Sequence, residues 1–418
     1  MSCCTWLLCL VALAGCGPGS SSPPATSPAP DTGEFLAKHW ARPLPPQGKP
    51  PANFSPVEAS LSPTACGTCH PRQFEDWRTA RHSRAVGPGL LGQLQEMDTD
   101  AVDDHQACLA CHAPLAEQEI SLRQYLSTPT APDRRRIGNG VDPAGTSLGA
   151  VHGDGLTCAG CHVRNHQRFG PPRTDGTIPT PGTALPHGGW QVTPAIADSR
   201  FCAACHQFEA DGPTLNGKLL ENTYEEWRAS RYAREGRQCQ SCHMPERRHL
   251  WRGIHDPTMV RSGLDIVAAG PTIVGEKVDA ELTIGNRGIG HAFPTYVTPQ
   301  VVVEVGQEDR QGRSIPSTVE QHPIGRDVSL DLAMENADTR LMPDEVRRYG
   351  YQRRLARGAV AIAYRITVYP DAFYAGFYRA MLEGKYLRKG RGAIREALRQ
   401  AEESSFVVFQ SHRPISRD

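Results

Sequence analysis

One pattern governs what this chain can fold into: Cys-x-x-Cys-His, written five times. The copies are Cys66-Gly-Thr-Cys69-His70, Cys108-Leu-Ala-Cys111-His112, Cys158-Ala-Gly-Cys161-His162, Cys202-Ala-Ala-Cys205-His206 and Cys239-Gln-Ser-Cys242-His243. The chain has 14 cysteines; four lie at Cys3, Cys4, Cys9 and Cys16, and the motifs absorb the rest. No cysteine pair remains in the body of the chain for a disulfide. The spacing is that of c-type haem attachment. Two residues between the thiols let one helical turn present both sulfurs to one haem edge, and the adjacent histidine then points at the iron. A thioredoxin-like redox pair or half a zinc site needs no histidine directly after the second cysteine, and neither predicts five copies.

Five covalent haems in so short a stretch leave little protein around each. A segment of that size cannot wrap a haem alone, so the haems must pack on one another and share a core. This predicts a mainly α, loop-rich pentahaem domain over residues 59–262, with haem edges close enough for electron hops. A hydrophobic content of 39%, with 40 glycines and 35 prolines, suits such an interior. The formal net charge is zero, which gives no bias toward nucleic acid. About ten haem propionates would make the loaded protein acidic.

Low-spin electron carriers use a second axial ligand on each iron. The 16 histidines leave eleven beyond the proximal five, His70, His112, His162, His206 and His243. His82 is the strongest candidate, at the end of Phe74-Glu-Asp-Trp77-Arg-Thr-Ala-Arg-His82. The segment Tyr224-Glu-Glu-Trp227-Arg-Ala-Ser-Arg-Tyr232 repeats it in register, with Tyr232 in the place of His82. His291 follows a strand-like run and is placed to reach back to a haem. His187 lies in a Pro-His-Gly loop, His166 closely follows the third motif, and His249 or His255 is expected to ligate, with His255 preferred. His152 is a reserve; His39 and His412 are expected to face solvent.

The N-terminus reads as an export signal over residues 1–15. Trp6–Ala14 is apolar but too short to span a bilayer. Leu13-Ala14-Gly15-Cys16 resembles the bacterial lipoprotein box, which predicts lipidation at Cys16 and a periplasmic or outer-membrane lipoprotein. No Lys or Arg precedes the apolar run. Residues 16–58 have the Ser/Pro-rich composition of a flexible tether. After Gly263 the texture changes. Val278–Ile284, Val301–Val305 and Val360–Val368 alternate as strands. The prediction is a β-sandwich-like domain over 263–418 with two appended helices, the first packing Phe373, Tyr374, Phe377, Tyr378 and Met381 against the sheet.

Trp77-x-x-x-x-His82, Phe201-Cys-Ala-Ala-Cys-His206, Tyr224-Glu-Glu-Trp227, Cys242-His-Met-Pro245 and Gly290-His291-x-x-Pro294-Thr295 together resemble the multihaem cytochromes of the cytochrome c-554 type. Those are related in haem packing to hydroxylamine oxidoreductase. The resemblance covers roughly residues 60–300. It implies distal ligation by His82 and His291. Many relatives continue the last motif with Gly where this chain has Tyr296. No motif ends in Lys, unlike the catalytic haem of nitrite reductase. The expected role is electron transfer between membrane and periplasmic or extracellular redox proteins. An iron without a sixth protein ligand would instead make an oxidoreductase for a small nitrogen or sulfur oxide, and Tyr232 is the feature that keeps this second reading open.

Overall fold

The computed structural model describes residues 32–127, 151–178, 184–385 and 387–416. The export segment and residues 16–31 of the expected tether, Cys16 among them, lie outside these residues.

The haem-motif half is built from short helices. Each motif sits on or beside one: Pro63–Gly67, Val102–His112, Cys158–His162, Arg200–His206 and Cys239–His243. Side-chain oxygens start two of them. Ser62 accepts from the Thr64 amide, and Thr157 accepts from the Gly160 amide. Aliphatic burial here is sparse, limited to a cluster around Leu91, Leu94, Leu109 and Leu122 and a smaller one of Leu115, Ala159 and Val163. An interior this thin cannot hold many short helices together by side chains alone.

The C-terminal half has an ordinary core. Two antiparallel sheets of four strands face each other. One runs Val346–Arg354, Lys277–Asn286, Leu264–Ala268, with Thr272–Val274 as a hairpin partner. The other runs Glu320–Ile324, Gln300–Glu308, Ala361–Tyr369, Phe406–Pro414. The expected alternation is present: Ile362, Tyr364, Ile366 and Val368 are wholly buried, as are Leu282 and Ile284 opposite them. Val301 pairs with Val368 and Val303 with Ile366, so one register lines the inner face.

Two expectations change. Residues 32–58 are not a free tether. Thr32–His39 is helical, and His39, expected to face solvent, is 3% exposed. Its Nε2 bonds the Cys161 carbonyl at 2.9 Å, and Arg164 Nε donates to the His39 carbonyl at 2.7 Å. Ser55 and Glu58 form a capping box on Pro56–Ala59. Composition measured how little this segment could bury by itself; here it lies on a surface already built.

The terminal helices, Ala372–Glu383 and Arg391–Glu403, also pack differently. They bury Tyr378, Ile394 and Ala397 between themselves, and the second docks on Pro88–Glu96 of the haem half. The close approach needs glycine on both sides. A Cβ on Gly390 would stand 2.1 Å from the Gly92 carbonyl oxygen. Gly390→Ala is therefore expected to lower stability by about 1–3 kcal/mol in denaturant titration. An unchanged midpoint would show the contact to be dispensable.

Candidate functional site: four facing histidine pairs and one unpaired motif

Four proximal histidines each face a second histidine ring. The centroid separations are 6.5 Å for His70–His187, 6.3 Å for His206–His82, 6.2 Å for His162–His249 and 6.3 Å for His243–His291. These distances fit an iron between two imidazoles. Two metal–nitrogen bonds of about 2 Å plus half of each ring span roughly 6 Å. All ten motif cysteines are free thiols available for thioether attachment. The donor set therefore fits c-type haem.

The ring nitrogens are arranged for the task. Nδ1 is hydrogen-bonded to a backbone carbonyl in His112 (Ala85, 2.7 Å), His162 (Phe169, 2.8 Å), His243 (Arg252, 2.6 Å), His187 (Gly189, 2.9 Å), His249 (Arg247, 3.1 Å) and His291 (Ala292, 2.9 Å). A carbonyl can only accept, so Nδ1 carries the proton and Nε2 is left as the metal donor. The same test separates out His166 and His255. His166 spends Nε2 on the Gly48 carbonyl at 3.0 Å, and His255 spends it on Asp371 at 2.9 Å. Neither faces a proximal ring; of the two neighbours, His249 takes the position.

Outer contacts fix the distal rings. Asp76 receives Arg248 at 2.7 and 2.5 Å and the His249 amide at 3.1 Å, tying the Pro71–Thr79 helix to the third site. Glu58 accepts the His187 amide at 2.6 Å. Trp251 stands edge-on to both His82 and His249, at 4.8 and 5.1 Å, and its amide donates to the His243 carbonyl. It thus touches ligands of three sites.

Burial sets the charge of these rings. It pushes His82 down to about 3, and His249 and His291 down to about 4, from an ordinary 6.5. The rings stay neutral at neutral pH, as metal ligation requires. A depressed folded-state value makes the unfolded chain the stronger proton binder between 6.5 and about 4. Stability is therefore fully present above 6.5 and is lost as pH falls through that window. Equilibrium unfolding followed at stepped pH should show it; flat stability from pH 7 to 4 would contradict it.

Contacts between motifs give their order in space. The helices of the first and third motifs touch, as do those of the second and fourth, which puts Cys66 near Cys158 and Cys111 near Cys205; the Cys239 amide donates to the Ser199 hydroxyl at 2.9 Å, which brings the fifth motif to Cys202 of the fourth. Cys161 lies within electrostatic reach of Cys202 and Cys205. The first motif thus adjoins the third, and the third adjoins the fourth. The second and fifth both flank the fourth, which is a junction.

The second motif stands apart. Among the described residues no histidine ring faces His112. Tyr232 does not explain this: its hydroxyl donates to the Arg287 carbonyl at 2.6 Å, and its ring lies under Arg231 and Arg237. It is a packing residue beside Gly290. The Trp helices that the internal echo links do share a role: Trp77 donates to the Leu156 carbonyl and Trp227 to that of Arg237.

A family model described as "Cytochrome c554 and c-prime" matches residues 65–132. Fold and site fit one class of protein, the multihaem c-type cytochrome. Within it, the structure is similar to a penta-heme cytochrome c552 from Thermochromatium tepidum, with TM-score 0.60 and 17% identity over 86% of this chain and 100% of that one. That likeness is one of fold. No curated protein matches the sequence.

Proposed function

We propose that the chain carries five c-type haems and relays electrons through them. The single observation behind this is the set of four facing histidine pairs at 6.2–6.5 Å, joined in a branched path through the fourth motif. Bound haem supplies one-electron exchange at iron. The chain's own part is to hold four of the five irons between two neutral imidazoles each, so that their ligation is unchanged on gain or loss of an electron. It also places successive sites edge to edge and excludes water with Trp251 and the buried ligand loops. Histidine at both axial positions favours lower potentials than histidine with methionine. We further propose lipidation at Cys16, with the body of the protein held to a membrane outside the cytoplasm and exchanging electrons with redox proteins there.

The unpaired His112 favours a second reading, in which the second haem has an open coordination position and the relay feeds a reaction with a small nitrogen or sulfur oxide. Low-temperature EPR with magnetic circular dichroism of the purified holoprotein tests both, alongside intact mass. Five haems with four low-spin irons and one high-spin iron is the expected result. Five low-spin irons that bind neither CO nor NO would remove the second reading. Fewer than five haems would overturn the first as stated.

A further inference from the structure

An arginine directly after the third motif is buried without a counter-ion. Val163–Arg164 and Gln167–Gly170 form a hairpin closed by two residues, Asn165 and His166, at φ +51° and +57° as a type I′ turn requires. The turn holds Arg164 against the haem-attachment helix it follows. Nη1 donates to the carbonyls of Gly160 at 3.0 Å and Val163 at 2.6 Å, and Nε donates to that of His39 at 2.7 Å. Gly160 lies between Cys158 and Cys161, so the guanidinium stands against the turn that would join the third haem to the chain.

Arg164 is 8% exposed, and an arginine is rarely buried unless it is paired. All of its hydrogen bonds go to backbone carbonyls, Nη2 is buried with no partner, and the Trp40 ring covers the group at 5.1 Å from Cζ. Among the described residues no carboxylate pairs with it. On the distal side of the same site, Asp76 is already neutralised by Arg248 at 2.7 and 2.5 Å. These side chains leave one positive charge at the third site. Other motifs have arginines too. Arg42 Nη2 lies 3.5 Å from the Cys111 sulfur, and Arg237 Nη2 lies 3.7 Å from that of Cys242. Both of those residues are exposed, so water and salt screen them. Arg164 is screened far less, and a guanidinium keeps its proton at neutral pH.

On the relay reading, which this extends and rests on, we propose that Arg164 raises the potential of the third haem above those of the other three histidine-paired haems. A fixed positive charge in a poorly screened interior favours the reduced form of a nearby iron, because it attracts the added electron. An electron delivered by a redox protein at the first motif then comes to rest at the third before it reaches the junction at the fourth. One electron leaves the first site and one arrives at the third; nothing else is transferred. The third site is a one-electron store on that arm, and Arg164 is the residue that makes it one.

The test is a stepwise potentiometric reduction of the holoprotein, followed by EPR of its low-spin signals. The signal absent from His249→Ala marks the third haem. In the wild type that signal should be the first of the four to vanish. Arg164→Gln should lower the reduced-to-oxidised ratio of that haem about tenfold at a fixed potential, or about 59 mV for a one-electron couple. Arg164→Lys should keep most of the wild-type value, and the difference between the two variants should persist at high salt. His39→Phe controls for packing: it removes the 2.9 Å bond to the Cys161 carbonyl and leaves the charge in place. Unchanged haem content and four low-spin signals certify the folding of each variant. An unmoved third signal in Arg164→Gln overturns the proposal. An equal shift in Arg164→Lys or in His39→Phe overturns it too, by making the effect one of packing. Should Arg164→Gln fail to load its haems, the wild type still decides, because a third signal that vanishes after any other sinks the idea. Fewer than five haems, or no low-spin signal lost in His249→Ala, overturns the relay reading instead.

Discussion

Replacing His291 by alanine is expected to convert one low-spin haem to high-spin and to leave the other pairs as they are. The His291 ring lies 6.3 Å from His243 and within 15° of parallel to it. Its loop is held independently of the ring. Asn286 donates to the His291 carbonyl at 3.0 Å, and the Ala292 amide donates to Glu226, which Arg340 anchors at 2.9 Å. Removal of the imidazole therefore leaves the loop in place with nothing to substitute for the lost nitrogen. Added imidazole should restore the low-spin signal. His166→Ala and His255→Ala supply the contrast, because their Nε2 atoms are committed to Gly48 and Asp371. A low-spin count that survives His291→Ala, or falls in His255→Ala, would contradict the ligand assignment. EPR of the three variants decides it.

Loss of one attachment site should have a still larger effect. Cys158→Ala with Cys161→Ala is expected to remove one haem and to unfold the haem half. The third motif lies between the first and the fourth, and its Cys161 carbonyl anchors His39. A haem burying a few hundred Å² of apolar surface contributes on the order of 10 kcal/mol. That equals the whole stability of a typical domain, about 5–15 kcal/mol. The sparse clusters around Leu94 and Ala159 have no reserve to offset it. Haem stoichiometry and limited proteolysis read the outcome. Cleavage should concentrate between the third and fourth motifs and within residues 32–58. A four-haem protein with native protease resistance would show that the motif is peripheral.

The five attachment sites and the alternating strands were legible because each depends on near neighbours in sequence. Val360–Val368 announces its buried face by period alone, and a Cys-x-x-Cys-His motif carries its chemistry within five residues. The distal ligands depend on which nitrogen a distant carbonyl takes, and no local signal reports that. His166 sits close to a motif yet is spent on Gly48, while His249 serves the third site because Asp76, far back in the chain, holds its backbone. Tyr232 stood out by its place in a repeat, but its ring packs under Arg231 and Arg237 and its hydroxyl is spent on the Arg287 carbonyl. The docking of residues 32–58 and of the terminal helices escaped notice for the same reason: both use surfaces made by other segments.

The spans of the ligand pairs bear on how such a molecule is made. His70 waits for His187, His82 for His206, His162 for His249 and His243 for His291. Each span overlaps the next, like links of a chain. A polypeptide loaded from its N-terminus cannot cap its first iron until most of its motifs have emerged; the third and fifth sites likewise wait on segments after them, whereas the fourth finds His82 already made. The last link ends in the loop beyond a strand of the sandwich, so the relay is complete only when the C-terminal half is present. A half-made molecule is therefore spectroscopically marked: the iron of its fifth motif stays five-coordinate, and the change of that site to six-coordinate low-spin haem reports that synthesis has passed His291.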